Sequence, residues 1–214
     1  MPFIICEFPC FFNFAMTKHN FPLFSVLTSF ILTATLFQNQ GKIYLSNPSF
    51  EDKPRASASP VGWYSGVPGS TPDILPGAWG LNLPAQDGKT CLGLVTRSDN
   101  SSETISQELP AVLKSGECYK FEIWLAHAEQ YVGFNKPCRI RVWGSGSKTD
   151  KGQLLTSSPL VSHSDWRLYK LRFTTSSEIR FITLEAWYGP GVTFQYNGNI
   201  LLDNCSPIEL CERA

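Results

Sequence analysis

The chain has 214 residues, and its 18 Lys and Arg residues balance its 18 Asp and Glu residues, so that the formal net charge is zero. Charged residues make up 17% and aromatic residues 13% of the chain, whereas soluble domains carry about 25% charged residues. Zero net charge argues against nucleic acid, which requires a basic face, and against a polybasic contact with anionic membranes. The composition instead indicates an extracellular β protein, and the length indicates one domain or two small ones.

The first forty residues are predicted to be a leader and not part of the fold. An apolar run without charge, Phe21 to Phe37, follows Lys18, and this order is typical of a secretory signal peptide. The run is short for a membrane-spanning helix, which needs about 20 residues, although an uncleaved anchor is the alternative. Met16 is a better start for such a peptide than Met1. We therefore assign residues 1–40 to the leader and expect a secreted or surface protein.

The remainder of the chain is predicted to form one domain over residues 41–206, followed by a tail over residues 207–214. Loss of Lys18 and Glu7 with the leader keeps this part neutral. Export makes disulfide bonds possible, and an odd number of cysteines leaves at least one unpaired. Buried free thiols and one or two bridges both remain open. The cysteines are Cys91, Cys118, Cys138, Cys205 and Cys211.

Short runs of strand composition alternate with Gly, Pro and Asn turns along the whole domain. No window of a dozen residues keeps a helical apolar period free of Gly and Pro. The pattern therefore predicts an all-β fold, an antiparallel β-sandwich. The predicted strands are Thr90–Thr96, Glu103–Leu109, Cys118–Ala128, Cys138–Trp143, Trp166–Thr174, Ile179–Tyr188 and Asn199–Asp203.

Three of these strands place a charged residue and a tryptophan on the face that points away from the core, because successive side chains alternate between faces. Large aromatic rings beside charges on an outer face are typical of a contact site. An aromatic ring stacks on the apolar face of a pyranose, and Arg and carboxylate groups bond its hydroxyls. The three units are Glu122-x-Trp124, Arg141-x-Trp143 and Glu185-x-Trp187.

We therefore predict that these six residues share one exposed face that binds a polysaccharide or glycan. Tyr188, Trp79 and Tyr131 lie in or beside predicted loops and are candidates for the ends of the cleft. Packing of each ring against a loop or a second layer is the alternative. Trp63 and Trp166 are expected in the core.

An enzyme is the less favoured interpretation. Glu122 and Glu185 could hydrolyse glycosides only if their strands were neighbours and set the carboxylates a suitable distance apart. The sequence has no Gly-x-Ser-x-Gly, no His-Glu-x-x-His and no phosphate loop, the motifs of common hydrolases and nucleotide enzymes. A surface domain that contacts protein through the same sandwich is the alternative outside carbohydrate binding.

An ordered set of short motifs runs through residues 45–206. It comprises Asn47-Pro48-Ser49-Phe50-Glu51, Gly62-Trp63, Asp87-Gly88-Lys89-Thr90-Cys91-Leu92-Gly93-Leu94, Ile105-Ser106-Gln107, Gly116-Glu117-Cys118-Tyr119-Lys120-Phe121, Trp166-Arg167-Leu168-Tyr169 and Ile200-Leu201-Leu202-Asp203-Asn204. The set resembles carbohydrate-binding modules of families four, nine and twenty-two. In its Pro- and Gly-rich loops and its closing run Gly-Asn-Ile-Leu-Leu-Asp-Asn, residues 198–204, the chain is similar to surface proteins of Bacteroidetes-type bacteria.

This resemblance implies a galactose-binding-like jelly roll, non-catalytic sugar binding and a structural calcium. By position, the calcium ligands would be Glu51 and Asp203, with Asp87 and a carbonyl oxygen of Lys89 or Thr90 contributing. Calcium prefers six to eight oxygen ligands of this kind. The alternative for the same residues is that Glu51 caps a turn and that Asp203 bonds loop amides.

Overall fold

The computed structural model describes residues 41–212, and the predicted leader over residues 1–40 lies outside the described residues. Within that range, all regular structure is β-strand except one 3-10 turn at Ala78–Gly80. The strands are β1 Lys42–Ile43, β2 Asp73–Leu75, β3 Cys91–Thr96, β4 Thr104–Leu113, β5 Cys118–Ala126, β6 Lys136–Pro137, β7 Arg139–Ser145, β8 Gln153–Ser157, β9 Arg167–Thr174, β10 Ile179–Trp187, β11 Gly198–Asp203 and β12 Ile208–Leu210.

These strands form two sheets. In the larger sheet, the strand order is β1-β12-β5-β11-β3-β2, with β9 paired along the other edge of β5 and β6 paired with the start of β11. The smaller sheet has the order β4-β10-β7-β8. All pairings are antiparallel except the short one between β6 and β11. The all-β antiparallel sandwich predicted from the sequence is therefore confirmed.

The core lies between the two sheets, and the predicted alternation places the right residues in it. Phe121, Ile123 and Leu125 of β5 are buried there and have no more than 1% of their surface exposed. Trp63 is also buried in this cluster, as expected. Side chains facing them from the smaller sheet are Ile140, Val142, Ile182, Leu184 and Ala186.

A second apolar cluster covers part of the outer face of the larger sheet. Val95 of β3 and Leu201 of β11 pack there with Leu81 and Tyr131, which belong to loops that cross this face. Trp166 packs against this cluster and not in the central core. Every residue of β3 and β11 is consequently buried.

The segment predicted to be a tail is part of the domain. Ile208–Leu210 forms β12, which pairs with both β5 and β1. Cys211 forms a disulfide with Cys118 at the start of β5. The predicted domain boundary at residue 206 is therefore too early, because the partner of this three-residue strand is distant in sequence and the strand itself is too short to give a pattern.

The other three cysteines of the domain, Cys91, Cys138 and Cys205, are buried free thiols. Both alternatives left open by the sequence are thus realised, in one bridge and three small buried side chains. Burial raises the pKa of the Cys138 thiol to about 12, so that it stays protonated and unreactive at neutral pH.

Candidate functional site

Four of the predicted site residues meet on the outer face of the smaller sheet. β7 and β10 are neighbours there, and Arg141 lies directly opposite Glu185. Trp143 and Trp187 lie on the same face of the same two strands and are partly buried. The sequence alternation therefore placed these four of the six residues on one face, as predicted.

The remaining two residues do not join them, so the predicted single face is wrong for Trp124 and Glu122. Both lie on β5, in the larger sheet, where Trp124 is opposite Leu168 of β9. Glu122 forms an ion pair with Lys170, with 3.1 Å between carboxylate and ammonium. Alternation within a strand tells which side chains point away from the core, but it does not tell to which sheet the strand belongs.

Glu185 is the organising group of the smaller-sheet face. Its side chain is fully buried, and its Oε1 accepts hydrogen bonds from Lys151 Nζ at 2.6 Å and Ser102 Oγ at 2.9 Å. Its Oε2 accepts a hydrogen bond from Trp143 Nε1 at 2.7 Å. With these three donors, the carboxylate positions its neighbours, and it is not the free hydroxyl partner that the sequence suggested.

Arg141 stacks its guanidinium group on the aromatic residues of this face. Its guanidinium carbon is 3.7 Å from the centre of the Trp187 ring and 6.0 Å from that of Trp143. Lys151 Nζ lies 5.7 Å from the same Trp143 ring, so cations and rings alternate across the sheet, an arrangement stabilised by cation–π attraction. Burial, reinforced by the charge of Arg139, lowers the pKa of Arg141, although a guanidinium stays charged in proteins.

A cleft of about 650 Å³ opens beside Trp187 and Glu185. One wall is the turn between β3 and β4, residues 97–102, and another is formed by Val67, Pro68 and Gly69, with Lys151 between them. This volume is in the range of small-ligand sites, about 300–1,000 Å³. The cleft therefore lies at one end of the Trp-bearing face of the smaller sheet.

Tyr188 supports this cleft from behind and does not line it. Its ring is 4% exposed, and its hydroxyl donates a hydrogen bond to the carbonyl oxygen of Arg97 at 2.5 Å. Arg139 Nε in turn donates to the carbonyl oxygen of Tyr188 at 3.0 Å. Tyr188 thus holds the 97–102 turn in place against the end of β10.

Trp79 and Tyr131 belong to a second, smaller pocket of about 210 Å³. Trp79 is 49% exposed, and its Nε1 donates to Asp73 Oδ2 at 3.0 Å, which also accepts from the Tyr131 hydroxyl at 2.6 Å. Arg97 lines both this pocket and the larger cleft. It pairs with Glu103 at 2.5 Å, where burial raises the pKa of the Glu103 carboxyl to about 7.

The sequence did not single out Lys151, Ser102, Arg97 or Glu103. Lys151 lies in an Asp-Lys-Gly turn and Ser102 in a run of polar residues, and such residues are usually solvated. The one signal for them is indirect. A glutamate between two apolar strand residues, as Glu185 is, needs donors if its outer face is covered.

The three residues implied as calcium ligands are held by other groups. Glu51 Oε1 accepts hydrogen bonds from the backbone N–H groups of Lys89 and Thr90, at 2.8 and 2.9 Å. Asp203 Oδ2 accepts from the N–H groups of Gln86 and Asp87, at 2.7 and 3.0 Å. These contacts fasten the 86–90 loop to both ends of the domain, which is the turn-capping alternative left open above.

This arrangement does not favour a calcium ion, because amide hydrogens already point at Oε1 of Glu51 and at both carboxylate oxygens of Asp203, which a cation would need as ligands. Asp87 Oδ2 likewise accepts a hydrogen bond from Ser49 Oγ at 2.7 Å. In residues 41–212 no group of three His, Cys, Asp or Glu side chains is arranged to hold a metal. The calcium implied by the resemblance stays a prediction that a melting experiment can decide.

We expect the same melting temperature in excess calcium and in a chelator, because amide hydrogen bonds already hold the 86–90 loop against Glu51 and Asp203 without an ion. Calorimetry should be done at pH 8, because burial raises the pKa of Asp203 to about 7 and the carboxylate is then ionised, the form that binds calcium. Melting in excess magnesium controls for general ionic effects. A melting temperature that rises with calcium but not with magnesium would contradict this expectation and support a structural calcium site.

Among the described residues, none forms a helix with the length and apolar character needed to cross a bilayer. No protein-family model matches the sequence. No curated protein matches it either.

Several solved structures are similar in fold. A cyclase from Fischerella sp. TAU aligns at a TM-score of 0.53 with 14% identity, covering 80% of this chain and 98% of that one. The CBM22-1 xylan-binding domain of Paenibacillus barcinonensis Xyn10C aligns at a TM-score of 0.50 with 19% identity, covering 81% of this chain and 97% of that one. The CBM22-1–CBM22-2 tandem domain of the same protein aligns at a TM-score of 0.52 with 18% identity, covering 81% of this chain and 47% of that one. The expected likeness to carbohydrate-binding modules is thus confirmed as a likeness of fold.

Proposed function

We propose that this chain is a secreted, non-catalytic module that binds a glycan on the outer face of its smaller sheet. The observation that carries the proposal is the layer of Trp187, Arg141 and Trp143 beside a cleft of about 650 Å³. Rings of this kind accept the apolar face of a sugar, and guanidinium groups donate to its hydroxyl rim. The similar fold of a xylan-binding domain supports the same interpretation.

Two further features support a non-catalytic extracellular role. Glu122 and Glu185, the carboxylates considered for glycoside hydrolysis, lie on different sheets and do not face each other across the cleft. The disulfide between Cys118 and Cys211 is of a kind formed in oxidising compartments. A module that binds without turnover needs only a rigid face, and β7 and β10 provide one.

The alternative is adhesion to protein. The loop between β10 and β11 exposes 83% of Phe194 and 41% of Val192, and exposed apolar side chains of this kind mark contact surfaces when they cluster. Phe194 and Val192 lie in this loop and not on the strands that carry Trp143 and Trp187. The two functions can therefore be distinguished with separate variants.

Affinity electrophoresis on a panel of neutral and acidic polysaccharides tests the proposal. We expect Trp187→Ala to weaken retardation at least tenfold, because it removes a ring of the binding face and the surface on which Arg141 stacks. Trp124→Ala is the matched control, since it removes the same side chain from the opposite sheet and should leave retardation unchanged.

Three results would count against the proposal. They are no retardation by any glycan, loss of retardation in the Trp124 variant alone, or loss of cell binding only on Phe194→Ser. The first and third outcomes favour adhesion, and the second would move the site to the larger sheet. Circular dichroism of each variant distinguishes lost binding from lost folding.

A further inference from the structure

Arg141 has donors that the protein does not use. Its Nε is buried and has no hydrogen-bond partner among the described residues. Within the same part of the chain it takes part in no ion pair, whereas Lys151 pairs with Glu185 and Arg97 pairs with Glu103. A buried donor without an acceptor is destabilising. Because Nε itself is shielded from solvent, an acceptor from outside can meet this guanidinium only at its two Nη groups.

The stacking on Trp187 fixes how that acceptor must approach. With the guanidinium carbon 3.7 Å from the ring centre, one face of the guanidinium is covered. An acceptor must therefore approach in the plane of the group, on the side of its two Nη groups, where a fork of two N–H groups meets a carboxylate. A rigid fork of this kind suits a planar anion better than a single hydroxyl.

The surrounding charges favour an anion as well. Arg139 lies beside Arg141 on the outer face of β7, and its charge contributes to lowering the pKa of Arg141. Lys148 of the β7–β8 turn lies 4.6 Å from the ring centre of Tyr64 at the far edge of the sheet. Acidic groups around this face that lie outside ion pairs include Asp99 in the β3–β4 turn, Glu108 on β4 and Asp150 in the β7–β8 turn. None of them belongs to β7, and the two neighbouring arginines of that strand have no acidic residue on the same strand.

We infer that the glycan is acidic, and that Arg141 receives the carboxylate of a uronic acid residue while the rings beside it hold the sugar. This inference rests on the proposed function and specifies its ligand class. An incoming carboxylate would supply the acceptor that the guanidinium lacks and would offset the crowding of positive charge on β7.

Three polymers and three variants test the inference. The polymers are polygalacturonate, the same polymer with its carboxyl groups reduced to alcohols, and a sulfated neutral polysaccharide. Arg141→Gln removes the charge, and Arg141→Lys keeps the charge but removes the planar fork. Arg180→Gln, an exposed arginine at the opposite end of β10 from Trp187, is the matched control for loss of one positive charge.

We expect the unchanged protein to bind polygalacturonate at least tenfold more tightly than the reduced polymer, with a preference that falls as salt is raised. Arg141→Gln should abolish the preference, Arg141→Lys should retain part of it, and Arg180→Gln should retain all of it. Residual binding of the reduced polymer by Arg141→Gln shows that the variant is folded.

The outcomes separate the inference from the function on which it rests. Equal binding of the acidic and reduced polymers overturns the inference and leaves glycan binding intact. A preference that survives in Arg141→Gln, or binding of the sulfated polymer in place of the uronate, also overturns it. If none of the polymers, nor any glycan of the wider panel, retards the unchanged protein, the proposed function fails as well.

Discussion

Removing the Cys118–Cys211 disulfide is expected to lower the free energy of unfolding by about 4 kcal/mol. The bridge joins residues that are 93 positions apart, and in the chain-entropy model a loop of about 100 residues contributes up to about 4.7 kcal/mol. It also fastens the last strand, β12, which is paired with β5 by only a few residues and is the strand that attaches β1 to the sheet. Urea denaturation of the Cys118→Ala, Cys211→Ala double variant measures the loss.

Urea denaturation with and without reductant is the control for this prediction. Reductant should shift the urea midpoint of the wild-type protein toward that of the double variant and should leave the midpoint of the double variant unchanged. The three buried thiols, Cys91, Cys138 and Cys205, are present in both proteins, so their chemistry cancels. A midpoint of the unchanged protein that does not respond to reductant would mean that the bridge does not form.

The fold could be predicted from the sequence because its signals are local. Each of the seven predicted strands is present, and the alternation in Cys118–Leu125 correctly assigned Phe121 and Ile123 to the core. The strands that were missed are two to five residues long. Such short segments carry too few side chains to show a period of two, and long-range pairing decides their conformation.

The candidate site was only partly predictable because its assembly depends on which strands share a sheet. The Trp124 and Trp187 strands show the same local pattern, yet β5 and β10 lie in different sheets. Trp143 and Trp187 came together because β7 and β10 are neighbours, a fact that depends on residues 36 and more positions apart pairing correctly. Local alternation carries no information about such a choice.

The burial of Glu185 was the least predictable property of the site. A strand pattern indicates a face, but it does not tell what covers that face. The cover here comes from the 97–102 turn and from Lys151 on the β7–β8 turn. As a result, the residue predicted to bond a sugar hydroxyl instead holds Trp143 and Lys151 in place, and in the proposed function the binding role passes to Arg141 and Trp187.

Replacing Glu185 with Ala is expected to lower the free energy of unfolding by about 3 kcal/mol and to abolish glycan binding. The change leaves the Trp143 Nε1 donor and the partly buried Lys151 ammonium without their acceptor. Loss of one partner from a buried ion pair costs about 3–5 kcal/mol, and the Lys151 side chain, 33% exposed, can partly turn toward water. Trp143 then loses the bond that orients its ring beside Arg141.

Glu122→Ala is the matched control, because it removes the same side chain from the opposite sheet. The Glu122 side chain is 39% exposed and its partner Lys170 is 78% exposed, and exposed ion pairs contribute about 0–1 kcal/mol. We expect urea denaturation to give a small loss for this variant and a large one for Glu185→Ala, with glycan retardation lost only in the latter. Equal, small losses in both would mean that Glu185 does not organise the face. A stable Glu185→Ala protein that still binds glycan would show that Trp143 needs no orienting partner, because the packing of β7 against β10 would then suffice to hold the ring.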